Sequence, residues 1–157
     1  MKTSENIKAL GQQAFNNHLE FLSTGRIEEW VDLFTEDGVL EFPYATKGTD
    51  FLSSVSGKKD LFDYMKNFPE HFKEELENLH FHATEEPTLV NAEFTRNGYA
   101  ISTGKPYLQK YISVVTTTPE GKILKNVDFW NPLTAFEAMN APLDKFLAAT
   151  AEYEVGE

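Results

Sequence analysis

Two β-rich runs separated by a short turn constrain this chain more than any other stretch. Pro106 to Thr118 and Ile123 to Pro132 are dense in β-branched and aromatic residues, and Pro119-Glu120-Gly121-Lys122 lies between them. That pattern predicts a β-hairpin. Successive strand residues point to opposite faces, so Ile123, Val127 and Phe129 should share one side of the second arm. Leu124, Asn126, Asp128 and Trp130 should share the other. A carboxylate beside a tryptophan on one face is either the wall of a small-molecule pocket or a half-solvated strand.

Upstream of the hairpin the pattern is helical first and β afterwards. Ile7, Leu10, Ala14, His18, Phe21 and Leu22 recur at helical spacing, which predicts a helix over Ser4–Ser23 with Thr3 or Ser4 as its N-cap. A second helix is expected from Ile27 to Phe34. Asp37-Gly38 then turns the chain into a strand, Val39-Leu40-Glu41-Phe42-Pro43-Tyr44, that Pro43 marks as an edge or an end. The polar stretch 45–56 reads as a loop, either plain surface or a lid. A third helix should start at Gly57-Lys58-Lys59-Asp60 and stop before Pro69.

Glu70 to Asn78 reads as an acidic connection. Strands are expected at Leu79–Thr84 and Thr88–Arg96, with Asn97-Gly98 as a turn. Short helices are expected at Leu133–Met139 and, opened by Pro142, at Ala141–Tyr153. Helices first and a mainly antiparallel sheet after them make this an α+β chain. One domain spanning 1–157 is expected, with its core at about 4–140 and 141–157 as a helical extension.

Composition removes several functions. A formal net charge of -11 repels nucleic acid and anionic membrane surfaces, so neither is an expected partner. It also repels anionic substrates unless positive charge is gathered locally. There is no Cys, hence no disulfide framework and no Cys-ligated zinc. Met1 to Asn6 has no apolar signal stretch and no apolar run reaches membrane-spanning length, so a cytoplasmic protein is expected. The 13 Phe imply an aromatic core.

The order helix, short helix, strand, helix, long sheet resembles the cone-shaped α+β barrel shared by ketosteroid isomerase, scytalone dehydratase, SnoaL-type polyketide cyclases and nuclear transport factor 2. Gly25-x-Ile27-Glu28, Leu33-Phe34-x-x-Asp37-Gly38-Val39, Pro43, Gly57-x-x-x-Leu61 and Gly121-Lys122-Ile123 leading to Phe129-Trp130 carry the resemblance. Within that superfamily the chain is most similar to the phenazine-biosynthesis A/B type. Phe34-Thr35-Glu36-Asp37-Gly38, Phe68-Pro69, Glu93-Phe94, Gly98 and Asn131-Pro132 are the matching features, and the match spans most of residues 10–138. The resemblance implies a cavity between helices and curved sheet, and a homodimer through the outer sheet face.

Asp128 is the first candidate. Apolar neighbours disfavour its charged form and raise its pKa toward a useful range, and the resemblance puts it where the phenazine type keeps a glutamate acid/base. Its bland alternative is a carboxylate satisfied near the sheet end. His18 falls where ketosteroid isomerase uses a tyrosine on the substrate oxygen. It is either a buried, singly hydrogen-bonded core histidine or a group that donates to a carbonyl or shuttles a proton. Tyr64 replaces a histidine of the phenazine type and is a donor but a poor base.

Phe42 stands where ketosteroid isomerase has its general-base aspartate, so that route is closed on this strand. Leu40, Phe42, Tyr111, Ser113 and Trp130 are the expected lining. The His80/His82 pair has a metal half-site spacing without a spaced third ligand, and no metal or cofactor is expected. A small hydrophobic or aromatic ligand is. The chemistry implied is isomerase, cyclase, dehydratase or condensation type. The alternatives are a non-catalytic binder or carrier, and an association domain with its cavity plugged by Phe42, Tyr111 and Trp130.

Overall fold

In the computed structural model, residues 2–45 and 52–140 are described. The expected helix at 141–153 and the centre of the 45–56 loop lie outside them. The described elements are α1 (Ser4–Ser23), α2 (Ile27–Val31), β1 (Phe34–Glu41), β2 (Ser54–Ser56), α3 (Lys58–Met65), α4 (Phe68–His71), β3 (Phe72–His82), β4 (Leu89–Ala100), β5 (Pro106–Thr117), β6 (Ile123–Phe129) and α5 (Pro132–Ala138).

Helix α1 forms where its apolar stripe predicts. Thr3 caps it, its hydroxyl accepting from the Asn6 N–H at 3.1 Å. The stripe buries Ala14, Phe15, His18, Leu19 and Leu22 against the sheet. Six strands make one open sheet in the order β2-β1-β6-β5-β4-β3. Every pairing is antiparallel except that of β1 with β6. The helices fill its concave side, where Phe15, Trp30, Phe34, Leu40 and Leu61 are almost wholly buried. Removing one such aromatic from a core costs about 3–5 kcal/mol.

Five expectations need correction. The second helix ends at Val31, and Phe34 already pairs with Ile123 as the first residue of β1. Part of the 45–56 loop is strand: β2 pairs with Val39–Glu41. Pro69 does not halt a helix but occupies the first turn of α4, where its missing N–H costs nothing.

The acidic stretch after it is the edge strand β3, whose Lys73, Glu75 and Glu77 face solvent while the Glu74 side chain is only 2% exposed. A buried glutamate in the inward register hides the alternation that marks a strand. Lastly, β4 runs straight through Asn97-Gly98. Gly98 is needed there for close approach, since a Cβ would lie 1.9 Å from the Lys73 carbonyl oxygen.

The hairpin itself is as expected, with one defect. Thr116 pairs with Lys125 and Thr117 with Ile123, so Leu124 is an extra residue, a β-bulge. The bulge turns Leu124 outward, 41% exposed, and Ile123 inward. Beyond it the parity recovers, and Asn126, Asp128 and Trp130 face the core together.

Candidate functional site

Between the α1–α3 side of the core and the cluster around Tyr107, Trp130 and α5 lies a cavity of about 700 Å³. That volume suits a compact organic molecule. His18, Leu40, Phe42, Tyr64, Tyr111, Asp128 and Trp130 all line it. Phe42, Tyr111 and Trp130 border this space without filling it, so the plugged arrangement does not form. Ser113 is the exception among the expected lining residues: it is fully buried behind Asp128.

Ser113 faces Asp128 directly across the β5–β6 ladder. Its hydroxyl donates to Asp128 Oδ1 at 2.5 Å, and the Asn126 amide donates to the same oxygen at 2.8 Å. Burial pushes the Asp128 carboxyl up from the ordinary aspartate range. The two hydrogen bonds and the Arg96 charge oppose that shift without cancelling it. The carboxyl is thus held rigidly by one oxygen.

His18 is 2% exposed and accepts from the Trp30 indole N–H at Nδ1, 2.8 Å away. An indole nitrogen only donates, so Nδ1 carries no proton and Nε2 does. Burial, with the Arg96 charge adding, lowers the imidazole to about 3. The ring is therefore neutral near pH 7. Proton shuttling at that pH does not fit this environment; hydrogen-bond donation from Nε2 does. Tyr64, on α3, accepts weakly from the Leu52 N–H at 3.4 Å, and burial raises its phenol. Its O–H remains a neutral donor.

The sequence did not single out Arg96, Glu74 or Tyr107. Arg96 projects inward from β4 between the rings of Phe94 and Phe68, is 4% exposed, and lines the cavity. Its Nη1 donates to Glu74 Oε1 at 2.5 Å. Tyr107 and Tyr111 share a hydroxyl–hydroxyl bond of 3.0 Å on the same wall. The available signal was parity: Ala92, Phe94, Arg96 and Ala100 lie on one face, an arginine among apolar residues. A turn assigned to Asn97-Gly98 concealed it.

Gln109 is another polar residue whose role the sequence left open. It clamps the backbone of Asn131 in both directions (2.8 and 3.0 Å) and so fixes the junction of β6 with α5. His82 pairs with Glu93 at 2.9 Å on the exposed side of the sheet. Among the described residues no group of three His, Asp or Glu side chains is placed to hold a metal ion. No described helix is long and apolar enough to cross a membrane.

Residues 15–126 match the model of the SnoaL-like domain. An uncharacterised PhzA/B-like protein of Pseudomonas aeruginosa is 40% identical over 121 residues, covering 77% of this chain and 84% of the relative. The crystal structure of a provisionally named isomerase from Bacillus subtilis superposes with a TM-score of 0.79 at 30% identity, covering 85% of this chain and 95% of that one. A phenazine biosynthesis-related protein of Pseudomonas aeruginosa gives 0.72 at 18% identity, with 90% and 88% covered. With the cone-shaped fold, its cavity and these matches together, the chain belongs to the SnoaL-like domain family.

Proposed function

We propose that this chain is an acid–base enzyme that needs no cofactor and acts on a compact cyclic or aromatic carbonyl compound. Asp128 takes a proton from carbon next to the carbonyl, and the electron pair moves onto the carbonyl oxygen. The Nε2–H of His18 and the Tyr64 hydroxyl receive that developing charge. Fixed donors in a site shielded from water are worth far more than the same groups in solvent. Returning the proton at another carbon completes an isomerisation; returning it to a β-hydroxyl, which leaves as water while the enolate pair forms the new C=C bond, completes a dehydration.

The observation that carries this reading is the placement on one cavity of a carboxyl whose pKa burial raises and of a neutral histidine donor. Conjugation of β,γ-unsaturated cyclic ketones, followed by ultraviolet absorbance, and deuterium exchange beside the carbonyl, followed by NMR, test it. Asp128→Asn keeps the shape and removes the base, and the rate should fall by about 10²–10⁴. Unchanged turnover in that variant would sink the proposal.

One observation favours a non-catalytic binder instead: Asp128 Oδ1 is fully occupied by Ser113 and Asn126. In that case aromatic ligands bind with the same affinity to the wild type and to Asp128→Asn, and nothing is turned over. We also propose a homodimer across the outer sheet face, where Leu108, Ile112 and Leu124 are exposed. Scattering or sedimentation that finds only monomer removes that part.

A further inference from the structure

We propose that Arg96 makes part of the cavity wall an anion subsite, so that the natural ligand carries an acidic oxygen group that this guanidinium receives. The inference rests on the cavity being a ligand site, and not on proton transfer at Asp128.

Among the described residues that line the cavity, Arg96 is the one Arg or Lys. Among the described residues only its Nη1 finds acceptors, on Glu74 and at 3.4 Å on Ser23. Among the described residues Nε and Nη2 make no hydrogen bond, and neither is sealed away from open space. Two adjacent unused donors on a planar fork match the two oxygens of a carboxylate, or one oxyanion held by both. The rings of Phe68, Phe94 and Tyr111, each about 6 Å from the guanidinium carbon, fix its plane. The Tyr107–Tyr111 hydroxyl pair lies within reach of the same charge.

Glu74 is a poor counter-ion for all of this. Burial raises its own pKa, and its Oε2 is sealed in without a hydrogen bond. A buried ion pair contributes little over apolar residues of equal volume, so the fold alone gives no reason for an arginine here. The surface of the chain, at net charge -11, repels anions. A ligand with an acidic group would need a local cation to enter, and Arg96 is that cation. Such a ligand would be held at Arg96 while its carbonyl side reaches Asp128 and His18.

Benzoate, benzamide and 4-nitrophenol test the inference by calorimetric titration and absorbance. Benzoate and benzamide have one shape and differ in charge. The wild type should bind benzoate about tenfold more tightly than benzamide, as expected for a charge-assisted hydrogen-bond pair. The double variant Arg96→Gln/Glu74→Gln leaves no stranded carboxylate, and Arg96→Lys keeps charge without the fork. The double variant should lose the preference while keeping benzamide binding, and the Lys variant should retain part of it.

If the site receives a ring oxyanion, bound 4-nitrophenol should ionise at lower pH than free dye. Preference for benzoate without that shift makes the group a carboxylate; the shift without the preference makes it an enolate-type oxygen. If neither anion binds better than its neutral form, or if both variants, folded by circular dichroism, keep the wild-type preference, the subsite does not exist. Anion preference that survives Asp128→Asn, in a chain whose turnover never depended on Asp128, would refute the proposed catalysis and leave the subsite standing.

Discussion

Trp30 donates its indole N–H to Nδ1 of His18, twelve positions away in sequence and wholly inside the core. This one bond decides which face of the imidazole is chemically available. Phe15 stacks on the ring at 5.4 Å and Phe34 meets it edge-on at 6.4 Å, so the ring has no freedom to turn. Trp30→Phe should leave Nδ1 without a donor. A buried acceptor left unmet costs about 1–3 kcal/mol, readable as a lower urea midpoint. In the wild type, nitrogen-15 NMR should find His18 protonated on Nε2 alone, with no titration between about pH 5 and 8.

The same burial makes stability depend on pH in a definite sense. His18 holds no proton in the folded chain until about pH 3, whereas the unfolded chain takes one up near 6.5. Between those values the unfolded state binds more protons, so stability from this group is complete above 6.5 and declines as pH falls toward 3. The slope is about 1.4 kcal/mol per pH unit. His18→Phe, if it folds, should flatten that acid limb in urea titrations at stepped pH.

Asp128 has the opposite sign. Its raised pKa means that the folded chain keeps a proton just above 3.8, where the unfolded chain has released it. Stability therefore falls as pH rises through that window, and Asp128→Asn should unfold at higher urea than the wild type in mildly alkaline buffer. Loss of turnover with gain of stability is the combination expected of a site residue.

Ser113→Ala tests the carboxyl from behind. The Ser113 hydroxyl stabilises the charged form of Asp128, so its removal should raise the Asp128 pKa further. The acid limb of the pH–rate profile should move to higher pH, with Asn126 still in place to hold the carboxyl. Stability should drop by about 1 kcal/mol. A profile that does not move means that Asp128 is not the group titrating in the rate.

Much of this arrangement was legible because period 3.6 and period 2 were strong where the core is apolar. The α1 stripe and the β5–β6 hairpin follow from side-chain alternation alone, and so does the shared inward face of Asp128 and Trp130. What escaped the sequence was polar and long-range. Glu74 and Arg96 pair through one hydrogen bond between two strands, 22 positions apart, and each in isolation reads as a solvated charge. The Leu124 bulge depends on register with Thr116 and Thr117, which no local pattern encodes. The low pKa of His18 needs total burial and the nearby Arg96 charge, and helical spacing gave only the burial.

Gly98 shows how a residue type can signal two different needs. Following Asn97, it suggested a turn, but it sits mid-strand, opposite Glu74 on one side and Tyr107 on the other. A methyl group there would meet the Lys73 carbonyl oxygen at 1.9 Å and the Glu74 Cα at 2.6 Å, both backbone and unable to swing aside. Gly98→Ala must push β3 away from β4, and with it Glu74 from Arg96. Overpacking of this kind costs about 3 kcal/mol. Gly104→Ala is the control: its φ of +70° carries backbone strain but nothing lies within 4 Å, so about 1 kcal/mol is expected. Urea midpoints should rank Gly98→Ala well below Gly104→Ala. The preference for benzoate over benzamide should weaken in the first and persist in the second, because only the first displaces the partner of Arg96.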